Sequence, residues 1–236
     1  MRFKSSRLLL VLVALFAISA VAAASASAAL PEIVNKEGKA LVKNSFTGET
    51  RLTEFVSTST YIGTVRCESS AGVTGKFSGV KAGETTFTLK TCTGGPVGGK
   101  CTTTGSKTGE MAIQFSLQLV YTSKASKELA LLFTPHKPGH ESEDVTYSCA
   151  GINFTMSGGF LVPIARENVN KLLEVGKYLY LDATSQQGVQ APSKYENEKG
   201  ETVETYLETI YAGNPAKTGV NFDGETSFEE GVEFKG

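Results

Sequence analysis

The sequence predicts an all-β protein, and three observations carry that expectation. Apolar and polar residues alternate with period two in several segments, as they do in half-buried strands. Thr fills 26 of the positions from Ala29 onward, and its branched Cβ suits a pleated surface. No stretch combines a helical apolar period with convincing caps. Short strands must bury one face of each sheet, so the expected fold is a β-sandwich of about 10 to 13 strands. A barrel or jelly roll is the alternative.

Taken in order, the chain opens with Arg2, Lys4 and Arg7, an apolar run from Leu8 to about Ala24, and the small residues Ala24 to Ala29. These are the charged, apolar and A-x-A parts of an export signal. Residues 1–28 are therefore expected to be a cleaved signal peptide, with cleavage after Ala26 as an alternative, and residues 29–236 one domain. The apolar run is shorter than the roughly 20 residues a span prefers, so no membrane span is expected after cleavage.

Strands are expected at Thr64–Glu68, Thr85–Lys90, Met111–Leu119, Val145–Cys149, Ile152–Met156 and Lys177–Leu181, each from its alternation. Ser126–Phe133 and Asn168–Glu174 are the only helix candidates, and the first reads equally as a hairpin strand. Gly-Glu-Thr occurs at 48–50, 83–85, 200–202 and 224–226, which reads as hairpin chemistry, Gly ending a turn and Thr opening a strand. The intervals are irregular, so neither a solenoid nor a propeller is expected. The longest breaks, Thr134–Asp144 and Thr184–Glu201, are polar and turn-rich. A subdivision near residue 166 is the one alternative to a single domain.

Cys67, Cys92, Cys101 and Cys149 all follow the leader, and an even count in an exported chain reads as two disulfides. Of three possible pairings, Cys92 with Cys101 is favoured, because the Gly-rich segment 93–100 is a flexible turn. Cys67 would then join Cys149. The spacings contain no C-x2-C pair, which argues against zinc.

The net charge of −1 combines a basic leader with an acidic remainder. Residues 29–236 hold 20 basic and 24 acidic side chains, and after residue 165 the balance is 7 to 13. With no basic excess, nucleic acid is not an expected partner. The acidic third indicates solubility before it indicates a ligand.

Catalytic motifs fail on inspection. Gly94–Thr102, GGPVGGKCT, approaches the phosphate-binding loop but puts Cys101 at the hydroxyl position and offers no helix start. Ser78-Gly79-Val80-Lys81 and two Lys-Thr-Gly tripeptides match fragments of penicillin-recognising enzymes, yet Ser78 sits in a Gly-flanked turn and S-D-N is missing. Asn153-Phe154-Thr155 has the form of a glycosylation sequon inside a strand. His136 and His140 share the segment 136–144 with three carboxylates and are the metal-ligand candidates. Pro138-Gly139 forbids the helical spacing of a zinc protease, so a solvated hairpin tip is expected instead. No metal, cofactor or catalytic residue is assigned.

Binding potential lies in the aromatics. If Leu179 and Leu181 face the core, Tyr178 and Tyr180 project together from the other face, and Tyr206 lies between Glu204 and Glu208 on a strand of its own. Tyr rings beside carboxylates suit a sugar or a peptide.

Thr85-Thr86-Phe87-Thr88-Leu89-Lys90-Thr91-Cys92, then Cys101, Gly109-Glu110, Leu132-Phe133-Thr134-Pro135 and Tyr147-Ser148-Cys149-Ala150-Gly151 resemble a group of uncharacterised secreted proteins of soil actinobacteria. The likeness is best over residues 60–165 and looser over the acidic tail, Thr226–Glu233. It implies export and a Cys-stapled β framework, and it carries no activity. The function expected is that of an exported, non-enzymatic extracellular or cell-surface protein binding a ligand or partner, such as a glycan or envelope component, through a sheet face or loops. A secreted polysaccharide hydrolase with unrecognised carboxylates and a purely structural envelope protein are the alternatives.

Overall fold

Alternation becomes antiparallel strand throughout the computed structural model, which describes residues 30–141 and 143–236. The expected signal peptide lies outside the described residues. Strand occupies 64% of the described residues and helix 1%, which places the chain in the all-β class.

Short β1 (Glu32–Val34) is followed by the long neighbours β2 (Ser45–Ser57), β3 (Thr64–Phe77) and β4 (Ala82–Gly94). A hairpin leads into β5 (Gly99–Thr103), and a second one joins β6 (Met111–Ser123) to β7 (Glu128–His136). Then come β8 (Val145–Cys149), β9 (Ile152–Gly158), β10 (Phe160–Pro163) and a single 3-10 turn at Arg166–Asn168. The remaining strands are β11 (Leu172–Leu173), β12 (Tyr178–Gln186), β13 (Val189–Ala191), β14 (Lys194–Glu196), β15 (Thr202–Glu204), β16 (Leu207–Tyr211), β17 (Asn214–Phe228) and β18 (Val232–Lys235). The described residues thus form 18 strands, more than expected, because strands of two or three residues are too short to show a period.

Hydrogen bonding runs through β2, β3, β4, β5, β8, β9, β16 and β17 and back to β2, each neighbour antiparallel. This closed eight-strand barrel replaces the expected sandwich. Alternation shows which face of a strand is buried, and it is silent on whether a second sheet or the curl of the same sheet covers that face.

The other strands branch from the barrel at two long members. β4 pairs with β6 through Ala82–Leu89 but with β5 through Thr93 and Gly94. β17 pairs with β16 through Asn214–Thr218 but with β12 farther on, through Phe222–Ser227. The shared sheet β4-β3-β2-β17 therefore forks at both edges. On the second branch β6, β7 and β10 curl away from β4 until β10 meets β12 without a shared ladder. Register shifts at Gly48/Thr53, Ser70/Gly72 and Phe222/Gly224 fall where the branches part. Bulges bend their strands and raise the twist there.

Inside this second branch Phe87, Phe115, Phe133, Phe160 and Phe222 converge from five strands, with ring centroids between 5.1 and 6.4 Å apart. Phe46, Phe77 and Phe228 continue the core, and the sheet β1-β18-β11 adds Ile33, Leu173 and Phe234. On the outside of β6 the β14–β15 hairpin packs Tyr195 over Val120, Ala130, Leu132 and Leu161. The cover buries both faces of β7, so Leu129–Phe133 is a continuous buried run. That run, which made Ser126–Phe133 a helix candidate, is strand. The other candidate, Asn168–Glu174, contributes the end of the 3-10 turn and β11. Strands from either side of residue 166 pair, β17 with β2 and β16 with β9, and Pro31–Gly236 forms one unit.

Cys67 is bonded to Cys92 and Cys101 to Cys149, which corrects the expected pairing. Each bond joins residues directly opposite in a ladder, β3 with β4 and β5 with β8, with Cα atoms 4.0 Å apart in both. The flexible turn at 93–100 brings its ends near each other, but register decides which side chains meet. Two of the Gly-Glu-Thr tripeptides are likewise not turns. Gly48-Glu49-Thr50 and Gly224-Glu225-Thr226 lie within β2 and β17 and pair with one another. A Cβ at Gly48 would strike the Glu225 carbonyl, so close strand approach, not a turn, requires glycine there.

Candidate functional site

β12 turns Leu179, Leu181 and Ala183 into the core. Its opposite face presents Tyr178 and Tyr180, 51% and 65% exposed. Because β12 pairs with β17 and β17 with β2, three rows cross this face. Tyr178 stands beside Ser227 and Thr47, Tyr180 beside Glu225 and Glu49, and Asp182 beside Asp223. A trough of about 400 Å³ runs between Glu49, Arg51, Tyr180, Asp182, Asp223 and Glu225. The register shift at Asp223 sets it against Arg51 and Leu52, and Arg51 Nη1 lies 3.8 Å from Asp223 Oδ2. Both side chains of that pair are exposed, so it contributes little. Two like-charged pairs thus sit directly opposite in register, an arrangement that destabilises a sheet.

Tyr206 does not join this face. It immediately precedes β16, and Lys217 Nζ lies 4.1 Å from its ring centroid. Leu207 is opposite Thr218, whereas Tyr180 is opposite Glu225. That separation is roughly 23 Å of strand at ~3.3 Å per residue. Tyr178 and Tyr180 share one face, and Tyr206, expected on a strand of its own, lies in the link between β15 and β16.

The two His engage different partners. His136 is buried in β7, its Nδ1 is 3.2 Å from the Lys137 carbonyl, and its Nε2 has no hydrogen-bond partner among the described residues. His140 Nδ1 lies 3.0 Å from Glu143 Oε1, and Lys137 Nζ donates to Glu143 Oε2 at 2.8 Å. The Lys137 hydrogen bond, aided by the charges of His140 and Lys137, holds the Glu143 carboxyl below its usual range. Among the described residues no three His, Cys, Asp or Glu side chains gather as metal ligands.

The barrel branch holding the five Phe rings is filled. A cavity of about 30 Å³ remains between residues that include Phe87, Phe133, Leu179, Leu181, Phe222 and Phe228. Small-molecule pockets run to roughly 300–1,000 Å³, so this interior is core. In the hydrogen-bonded ring, Tyr147 is buried with its ring stacked on Phe154 at 5.2 Å. Burial pushes its phenol up to about 12, and a hydrogen bond with Thr209 opposes part of that rise. Thr218 Oγ1 donates to Thr209 Oγ1 at 2.9 Å.

The carboxylate rows escaped sequence reasoning because their members come from β2, β12 and β17, far apart in the chain. The repeated Gly-Glu-Thr was the available signal, since two copies of one tripeptide can pair antiparallel with each other.

Fold and faces together define an antiparallel β-barrel protein stapled by two cross-strand disulfides. No protein-family model, curated protein or solved structure matches the chain. Among the described residues no helix is long and apolar enough to cross a membrane.

Proposed function

We propose that the chain is an exported, non-enzymatic binding protein that takes an organic cation on the outer face of β12, β17 and β2. One observation carries this reading: exposed Tyr180 stands beside two carboxylate pairs that oppose like charge to like, with Arg51 the one basic lining residue among the described residues. A local rule broken in a well-packed fold points to a functional site. A ligand ammonium or guanidinium offsets the repulsion and stacks on the Tyr180 ring. The filled interior supports an external site, and two disulfides support an oxidising location outside the cytoplasm. Amine-bearing glycans of a cell envelope have the required chemistry.

Calorimetric titration of residues 29–236 with glucosamine oligomers and with their N-acetylated counterparts tests the proposal. The amine form is expected to bind, more weakly at high salt, and to lose affinity in Tyr180→Ala and Glu225→Gln with neither melting temperature lowered. Equal binding of the acetylated form that is likewise lost in Tyr180→Ala, or affinity for the amine form that survives both substitutions, overturns it.

The same carboxylates give the hydrolase reading its support, since glycoside hydrolysis uses two flanking carboxyls. Exposure favours binding instead. The Asp223 side chain is 54% exposed, and a general acid holds its proton near neutral pH when sheltered from water. Release of reducing ends from a polysaccharide by the purified chain would decide for the hydrolase.

A further inference from the structure

A second concave face lies on the outside of β5, β8, β9 and β16. Register places Thr102, Ser148 and Asn153 in one row across the first three strands. Thr146, Thr155 and Ile210 form the adjacent row across the last three. The opposite faces of these strands bury Cys101, Tyr147, Cys149, Phe154, Met156 and Thr209, which fixes the orientation of the polar rows. Turns at Gly105-Ser106 and Ala212-Gly213 also line the trough, which encloses about 590 Å³.

Two properties separate this face from ordinary strand surface. Among the described residues its lining contains no charged side chain, although 20% of the chain is charged and the Tyr180 face is built largely of carboxylates. Of those six residues, only Thr102 has a side-chain partner among the described residues, accepting from the Gly109 backbone N–H at 3.0 Å. Among the described residues, the side chains of Thr146, Ser148, Asn153 and Thr155 have no hydrogen-bond partner, which leaves them open to a ligand.

We infer that this trough binds a neutral oligosaccharide. A hydroxyl both donates and accepts, and so does the rim of a sugar ring. The rows repeat at ~4.8 Å between strands and ~6.6 Å along each strand, giving a two-dimensional array of hydroxyl and amide groups on the scale of linked pyranose rings. Ile210 and the Thr methyls provide apolar area for the C–H face of a ring. An ionic ligand would find no counter-charge in the lining. The site is independent of the cation face. Ile210 pairs with Pro215 near the start of β17, and the carboxylates lie near its end.

Residues 29–236 with both disulfides intact would be titrated calorimetrically with short neutral gluco-, manno- and galacto-oligosaccharides. Saturable binding that is indifferent to salt is expected for at least one series. Thr146→Val combined with Thr155→Val keeps shape and strand preference while removing two hydroxyls, and should weaken binding roughly ten-fold or more. Ser148→Lys should abolish it, and it stands as the test if the double variant fails to fold. The inference is overturned if none of the three series binds at millimolar concentration. It also fails if a folded variant keeps its affinity, or if affinity is lost in Tyr180→Ala instead.

Discussion

Glu49 and Glu225 lie directly opposite each other across β2 and β17, each in a Gly-Glu-Thr tripeptide whose Thr is buried. Antiparallel pairing of the two copies sets Gly48 beside Thr226 and Thr50 beside Gly224, so small meets branched on the inner side. Outside, like meets like. Glu225→Gln is therefore expected to raise stability by a few tenths to about 1 kcal/mol, with the larger gain at low ionic strength. Denaturant midpoints at two salt concentrations check this. A loss of stability at both would mean that the carboxylate has a favourable partner in the folded chain.

The disulfides close loops of 25 and 48 residues. In the chain-entropy treatment these contribute about 3.5 and about 4 kcal/mol. Replacing Cys101 and Cys149 together with Ser should lower the denaturant midpoint slightly more than replacing Cys67 and Cys92. Peptide mapping of the unreduced protein is expected to recover the 67–92 and 101–149 linkages. A 92–101 linkage would contradict the β3–β4 register.

Much of this architecture was legible in the chain, for identifiable reasons. Met111–Leu119 and Val145–Cys149 alternate because one face of each is core, and they are strands. Tyr178 and Tyr180 share a face by the same period. The β7 run could not be read this way, because Tyr195 and its neighbours cover the second face and erase the alternation. Barrel closure was also hidden. It depends on bulges at Gly48/Thr53, Ser70/Gly72 and Phe222/Gly224 and on the forks at β4 and β17, all long-range relationships that leave no local period. Disulfide connectivity failed for the same reason, since register, a property of two strands, outweighed the flexibility of one turn. Both polar faces are assembled from distant strands, so their residue types were visible and their grouping was not.

Phe133 touches Phe87, Phe115, Phe160 and Phe222, and among the described residues no other ring meets more of the aromatic core. Phe133→Ala is expected to cost about 3–5 kcal/mol through lost burial and the space left behind. The slope of the denaturation curve should be unchanged, because the unfolding transition exposes nearly the same surface. Phe133→Leu should cost clearly less. If the Ala variant loses under about 1 kcal/mol, the second branch is not packed around this residue.

Alkaline pH tests the ring interior through Tyr147. Its phenol ordinarily ionises near 10 and is pushed up to about 12 in the folded chain by burial, so between these values the unfolded chain has lost a proton that the folded chain retains. Stability is then fully present below about pH 10 and declines as pH rises through 12, by on the order of 2 to 3 kcal/mol. Tyr147→Phe should remove this step while costing roughly 1 kcal/mol at neutral pH for the hydrogen bond lost to Thr209, which keeps its bond from Thr218. Denaturant midpoints across pH 9 to 12 for both chains measure the difference. Parallel declines would show that Tyr147 titrates as freely in the folded state as in the unfolded one, and the buried Tyr147–Thr209–Thr218 chain would not be the source of alkaline sensitivity.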